Sequence, residues 1–146
     1  MNRQIFIGVI STMEAFLSDA FINLTYDNST YFRNFVETHP EFKKRKFELK
    51  DIFYESENIK ETAKIIMLDT IYHNLPTVKQ MYQDTFKIQI PSIKKVYEYV
   101  RMRHDLVHRN GKTKEGSQVN TDDATIASLI HEINVFIHEI INELNI

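Results

Sequence analysis

Apolar residues recur with helical spacing in three segments of the chain. The first segment runs from about Gln4 to Leu24 and the last from Thr121 to the C-terminus. A repeat near 3.6 residues is typical of amphipathic helices that pack on a core. The apolar positions of the last segment are Ile126, Leu129, Ile130, Ile133, Phe136, Ile137, Ile140, Ile141 and Leu144. Both segments are therefore predicted to form long core helices.

The third segment lies between these two and ends in a cluster of polar side chains. Pro91-Ser92 precedes it, with Ser92 as a candidate N-cap, and Asn110-Gly111 is a helix stop signal. At about 100° per residue, His104 falls within its apolar stripe, and Arg103 and His108 lie on opposite flanks. Its apolar positions are Ile93, Val96, Tyr97, Val100 and Val107. We call this segment the motif helix.

Shorter segments complete the predicted helices. Ser29 or Thr30 can cap a short helix, and the stretches 42–54, 56–73 and 78–86 are further helical candidates. Residues 110–120 form a long polar loop of a kind that can bind substrate. With only 3 Gly and 3 Pro in 146 residues, the sequence predicts an all-α fold. We expect a single domain, residues 1–146, with about five helices in an up-and-down core and short accessory helices.

Composition and charge exclude several classes of protein. The chain has no cysteine, so it forms no disulfide or thiolate metal site. Its net charge of −2 argues against nucleic-acid binding through bulk charge, so any such role must be local. The basic run Lys43–Lys46 is interpreted as a solvated face, with an RNA-contacting patch as the alternative. No uninterrupted apolar run approaches the roughly 20 residues of a membrane span. A cytoplasmic, soluble protein without membrane contact is predicted.

The motif helix resembles the signature of HEPN domains. In that family an Arg is followed after four to six residues by a His near the end of a helix, as Arg103 and His108 are here. The family usually has a polar residue, often Asn, after the Arg, whereas this chain has His104. The resemblance extends over essentially the whole chain. It implies a HEPN-like helical bundle that acts as a dimeric, metal-independent ribonuclease without a cofactor.

The resemblance also implies roles for individual residues. His108 would be the acid/base group and Arg103 the phosphate clamp, since imidazole titrates near neutral pH and guanidinium stays charged. Attack by the 2′-hydroxyl would leave a 2′,3′-cyclic phosphate and a 5′-hydroxyl. His104, Asp105 and Asn110 are supporting candidates, and Asp105 can alternatively pair with Arg101 or Arg109. The candidate RNA-binding residues are Arg101, Arg109, Lys112 and Lys114.

Helix geometry favours a paired site. Residues five apart differ by about 140° around a helix, so Arg103 and His108 of one chain do not easily reach the same phosphate. A homodimer that packs the apolar stripe between them against its copy would gather two Arg and two His around one cleft. The alternative is that this stripe faces the first and last helices of the same chain.

The sequence also allows two other functions, a zinc enzyme and a non-enzymatic binding module. His104 and His108 have the spacing of a zinc-binding pair, with Asp105 in place of the usual Glu, and His131 or His138 could contribute a further ligand. The non-enzymatic alternative is a HEPN-like module that binds RNA, nucleotide or a protein. By resemblance, the setting is a toxin or antiviral-defence effector regulated by an antitoxin or a fused sensor domain.

Overall fold

The computed structural model describes every residue from Met1 to Ile146, and it is helical almost throughout. The helices are α1 (Asn2–Asp27), α2 (Ser29–Thr38), α3 (Pro40–Lys44), α4 (Ile52–Asp69), α5 (Leu75–Phe86), α6 (Lys94–His108) and α7 (Asp123–Leu144). A 3-10 turn, Leu49–Asp51, precedes α4, and the one extended pairing is an isolated bridge between Lys112 and Gln118. The all-α prediction is confirmed, and the seven helices include the short helices α2 and α3.

The additional helix boundaries arise around His39 and the basic run. Pro40 disfavours helix in the preceding residue, so α2 ends at Thr38 and His39 is extended. His39 then caps α3, its Nδ1 accepting the Glu41 N–H at 3.1 Å. The predicted helical stretch 42–54 is interrupted, because α3 ends at Lys44 and α4 begins at Ile52. Residues 43–50 are all exposed, so no buried stripe offsets the mutual repulsion of the cations.

The caps differ in detail from the predicted ones. Asn28, rather than Ser29 or Thr30, caps α2 by accepting two backbone N–H groups at 2.9 and 3.1 Å. The motif helix has Ile93 at its N-cap position without a side-chain cap, and the Ser92 hydroxyl accepts the Lys94 N–H at 3.4 Å. Asp122 caps α7, and the hydrogen bond from the Thr125 N–H lowers the pKa of its carboxyl.

The chain divides into two compact units, which are described separately. The first comprises residues 1–16 and 89–146, in which α6 packs on α7 and the start of α1 contributes Phe6. The Phe6 ring packs edge-on against Tyr99, with 6.1 Å between centroids. The other buried apolar residues of this unit include Ile10, Met13, Val96, Val100, Leu106, Val119, Ile126, Leu129, Ile133, Phe136 and Ile140. This unit contains the motif helix.

The second unit, residues 17–88, is built around aromatic side chains. Phe21 lies 5.4, 5.3 and 5.2 Å from the ring centroids of Phe35, Tyr82 and Phe86. The Tyr82 hydroxyl is fully buried and donates to the Leu17 carbonyl at 2.6 Å. Burial with a satisfied hydroxyl makes this cluster a specific core rather than a loose apolar contact.

Two helices have the length and apolar composition of a membrane span. These are α1 and α7, with a mean hydropathy of 1.7 and 1.3 over their most apolar stretches. Both also carry fully buried core residues, for example Phe6 and Leu129, and core helices of soluble proteins share these properties. The cytoplasmic location stays a prediction.

Candidate functional site

The motif helix ends in a hydrogen-bonded reversal of the chain. The N–H groups of Arg109 and Gly111 both donate to the Asp105 carbonyl, each at 3.0 Å. Asn110 and Gly111 have φ values of 53° and 81°, which is the left-handed region. The predicted helix stop at Asn110-Gly111 is confirmed. Asn110 therefore has a defined backbone role at the helix end, and this role sets the position of the residues on the last turn.

Arg103 lies on the buried side of α6, contrary to the predicted stripe. Val96, Val100 and Leu106 are buried, and at 100° per residue Arg103 falls among them. His104, predicted to lie within the stripe, is exposed instead. The buried stripe is rotated toward Arg103, because Leu106 faces the core while His104 is exposed. Val107 falls between Val96 and Val100 around the helix but is 44% exposed, the most exposed of the apolar positions assigned from sequence.

The guanidinium of Arg103 is incompletely satisfied. Its Nε is buried and has no hydrogen-bond partner, although the residue as a whole is only half-buried. A buried donor without an acceptor costs roughly 1–3 kcal/mol, so an anion that reaches this guanidinium would gain that interaction. Arg103 forms no salt bridge with a carboxylate. Its charge is thus not neutralised by a carboxylate of the same chain.

The two histidines of the last turn lie next to one another. The ring centroids of His104 and His108 are 4.7 Å apart, with the ring planes inclined at 47°. Both side chains are exposed. No hydrogen bond joins Arg103 to His108, and the two lie on different faces of α6, as the spacing predicts. The structure therefore brings together two imidazoles, with the Arg on a separate face.

The neighbouring charged residues have partners within the helix. Arg109 Nε lies 3.2 Å from Asp105 Oδ1, so the structure selects Arg109 over Arg101 as the partner of this carboxylate. Arg101 instead lies over the Tyr97 ring, with its Cζ 4.9 Å from the centroid. Arg101 and Arg109 are consequently less available to phosphate than the sequence suggested.

The polar loop after α6 is a hydrogen-bonded turn. The Val119 N–H donates to the Gly111 carbonyl at 2.8 Å, and the Thr113 N–H donates to the Ser117 carbonyl at 2.7 Å. Lys112 and Lys114 are exposed on this turn and form no salt bridge. They are the remaining candidate phosphate contacts from the sequence that have no competing carboxylate.

Arg3 is a residue of this region that the sequence did not indicate. Its guanidinium lies against Gly111, where an added β-carbon would be 2.9 Å from Arg3 Cζ. The adjacent Asn2 is held by its amide nitrogen, which donates to the Thr121 carbonyl at 2.9 Å and to Asp123 Oδ1 at 2.8 Å. Arg3 forms no salt bridge, so it adds an unpaired cation at the end of the motif helix. Within the sequence it is the middle of three polar residues, Asn2-Arg3-Gln4, at the start of an apolar helix, and this pattern does not indicate a function.

A zinc site would need a third ligand beside His104 and His108. No group of three or more His, Asp or Glu side chains is arranged to hold a metal ion. His131 is exposed, and His138 Nδ1 lies 2.7 Å from the Asn134 carbonyl. The two additional histidines therefore do not complete the pair.

A cavity of about 310 Å³ lies against the opposite end of the motif helix. It is lined by residues of the segment before α6, of the first turn of α6 and of α7, including Pro91, Val96, Val135 and Phe136. A salt bridge of 3.5 Å between Lys95 and Glu132 joins two of its lining residues. None of the residues of the last turn of α6 lines it, so this cavity is separate from the candidate site.

Comparisons with models of known protein families, with curated proteins and with solved structures give no match to this chain.

Proposed function

We propose that the chain is a metal-independent endoribonuclease of the HEPN type, with a composite active site at a homodimer interface. The observation that carries the proposal is the last turns of α6, where two exposed imidazoles lie 4.7 Å apart and Arg103, on a separate face of the helix, has an Nε without an acceptor. Imidazole can donate or accept a proton near neutral pH, and guanidinium can stabilise phosphate charge. The Arg-x4-His resemblance selects RNA as the substrate.

The reaction uses the 2′-hydroxyl of the substrate as its nucleophile. Neutral His108 accepts the proton of the 2′-hydroxyl while the 2′-oxygen attacks phosphorus. The bond between phosphorus and the 5′-oxygen breaks, and an imidazolium donates a proton to the leaving oxygen. His104, or His108 of a second copy, is the donor. The products are a 2′,3′-cyclic phosphate and a 5′-hydroxyl, and the guanidinium of Arg103 balances the charge on the phosphate during the transfer.

A second copy of the chain would supply the pairing of Arg103 with His108 that one chain lacks. Arg103 and His108 are about 140° apart around α6, and one lies on the half-buried face while the other is exposed. Twofold pairing at this end of the helix would set Arg103 of one copy beside His108 of the other. Exposed Val107 would lie in the interface. The protein would then resemble HEPN domains in forming a homodimer as well as in its Arg-x4-His motif.

A non-catalytic HEPN-like module is the second candidate. The separation of Arg103 from His108 within one chain favours it, because a single copy then presents a binding surface without a converged pair. Such a module would bind RNA, nucleotide or a protein through the same exposed turn. By resemblance, either protein would serve in toxin or antiviral-defence systems in the cytoplasm, regulated by an antitoxin or a fused sensor domain.

Incubation with labelled RNA in EDTA separates these functions. Wild type should release fragments with 2′,3′-cyclic phosphate ends, while His108→Ala and Arg103→Ala should not. His131→Ala is the matched control, since it removes an exposed His of α7 outside the motif. Cleavage that disappears in EDTA would indicate a metal enzyme, and RNA binding without cleavage by wild type would indicate the module.

A further inference from the structure

The exposed aromatic side chains of the protein are confined to one segment. Of 10 Phe and 7 Tyr, only Phe47, Phe53 and Tyr54 are exposed, by 53%, 79% and 67%. None of the three packs against another ring. Exposed large apolar groups that cluster in this way mark interaction sites. The exposed parts of these three rings can therefore be covered by a ligand.

Cations precede these rings directly. Lys43, Lys44, Arg45, Lys46 and Lys50 are all exposed, and we call residues 43–54 the basic-aromatic segment. Lys44 pairs with Glu41 at 2.9 Å and Lys50 with Glu48 at 3.6 Å. The other three, Lys43, Arg45 and Lys46, form no salt bridge.

The backbone arranges cations and rings in succession. Arg45 and Glu48 are extended, with ψ values of 134° and 147°, between the end of α3 and the 3-10 turn. Phe53 and Tyr54 follow in the first turn of α4. Two cations, Arg45 and Lys46, lie between α3 and the 3-10 turn and are followed by the rings, an order that suits a nucleic-acid strand, in which phosphates alternate with bases.

We propose that the basic-aromatic segment binds single-stranded RNA. Phe47, Phe53 and Tyr54 stack on bases, while the unpaired cations Lys43, Arg45 and Lys46 contact phosphates. Stacking on an aromatic face is tolerant of base identity, so the segment confers affinity for a single strand rather than for a sequence. The inference rests on the proposed function, since it assigns to the ribonuclease a substrate contact separate from the motif helix.

The acidic neighbours favour RNA over an anionic lipid surface. Glu55 and Glu57 directly follow the rings and are exposed. Pressed against anionic headgroups they would be repelled, whereas a carboxylate can accept a hydrogen bond from a base amino group. The segment also exposes the aliphatic residues Leu49 and Ile52, but exposed aliphatic residues occur elsewhere on the protein, whereas the exposed aromatic residues are found in this segment alone.

Affinity for a short single-stranded oligonucleotide with 2′-deoxy sugars tests the proposal. Without a 2′-hydroxyl the probe cannot follow the proposed cleavage, so binding is measured apart from catalysis. Phe53→Ala and Tyr54→Ala should each weaken binding by about tenfold. Leu68→Ala is the matched control, as it removes a side chain of α4 that is 60% exposed. An equal effect of Leu68→Ala and Phe53→Ala would overturn the proposal.

Charge variants give a second, independent readout. Lys43→Gln and Lys46→Gln should each reduce the slope of log affinity against log salt concentration by about 0.7. Each variant makes one phosphate contact fewer, so its binding releases fewer counterions from the nucleic acid. Lys64→Gln, an exposed Lys of α4 outside the segment, should leave the slope unchanged. Unchanged slopes in all three variants would overturn the phosphate assignment.

Leucine replacements separate stacking from apolar contact. Phe53→Leu and Tyr54→Leu retain an apolar side chain but remove the ring, so oligonucleotide affinity should fall as it does in the Ala variants. Retained affinity, together with binding to phosphatidylserine vesicles that Phe53→Ala abolishes, would instead identify a membrane site. Circular dichroism confirms folding of each variant.

The two proposals can fail separately. If wild type binds the probe through this segment but cleaves no RNA, the ribonuclease proposal fails and the binding proposal stands. If wild type cleaves RNA but does not bind the probe through this segment, the binding proposal fails and the ribonuclease proposal stands.

Discussion

The guanidinium of Arg3 lies so close to Gly111 that a β-carbon there would be 2.9 Å from Arg3 Cζ. Gly111 also has a φ of 81°, a conformation that side chains disfavour. Two independent constraints therefore act at this position, one from the local backbone and one from the first turn of α1. The contact lies directly after the motif helix, on which His104 and His108 lie.

Gly111→Ala should lower the free energy of unfolding by more than the cost of placing Ala in a left-handed backbone conformation. A left-handed residue with a β-carbon costs about 1–2 kcal/mol, and displacement of the Arg3 guanidinium adds to this. The free energy of unfolding from urea titration measures the total.

Gly116→Ala is the matched control for that variant. Gly116 has a φ of 86°, but no atom lies within 4 Å of an added β-carbon. Only the conformational cost should appear there. In an Arg3→Ala background, Gly111→Ala should cost no more than Gly116→Ala. Equal costs of the two glycine variants in the wild-type background would show that Arg3 is not held against Gly111.

The two neighbouring histidines should differ in their effect on RNA cleavage. We expect His108→Ala to reduce the rate by about 10²–10⁴-fold, the usual contribution of an acid/base group. His104→Ala should give a smaller loss, since His108 of a second copy can supply the proton to the leaving oxygen. Rates from single-turnover cleavage of labelled RNA test this order. A larger loss for His104→Ala would exchange the roles of the two residues.

Mixing inactive variants should restore cleavage if the site is shared between two copies. A heterodimer of Arg103→Ala with His108→Ala retains one Arg103 and one His108, on different chains. Cleavage by the mixture, absent from either variant alone, is the expected result. Specific activity of wild type should also fall on dilution as the dimer dissociates. Wild-type activity that is independent of dilution, with no restoration in the mixture, would place the site within one chain.

The long helices could be predicted because their patterns are local. Apolar spacing indicated α1, α6 and α7, and Asn110-Gly111 marked the helix end that the structure has. The stretch 42–54 was wrongly predicted as one helical stretch, because its apolar residues fit a helical repeat while its cations leave residues 43–50 exposed. Periodicity alone does not reveal which apolar positions find a neighbour to pack against.

The orientation of the motif helix could not be predicted for a similar reason. Stripes centred near Val100 and near Arg103 differ by only about 60° around the helix. The choice between them depends on the neighbours, here Phe6 against Tyr99. Arg103 lies on the buried side although its Nε finds no acceptor there, so the residue type alone gave the wrong face. The contact of Arg3 with Gly111 joins residues far apart in the sequence, so no local pattern indicates it.

Acid should destabilise the protein through His39. Burial lowers the pKa of this imidazole below 6.5, with Glu41 raising it and Lys44 lowering it more weakly, and Nδ1 must stay unprotonated to accept the Glu41 N–H. The unfolded chain binds this proton more readily than the folded chain does. The stabilisation of the fold by neutral His39 is therefore complete above about pH 6.5 and is lost as the pH falls through the lowered pKa. His39→Asn keeps an N-cap acceptor but does not titrate, so its free energy of unfolding should decline less than that of wild type between neutral pH and pH 5. Urea titrations at both pH values measure the difference, and parallel declines would assign the acid sensitivity to other groups.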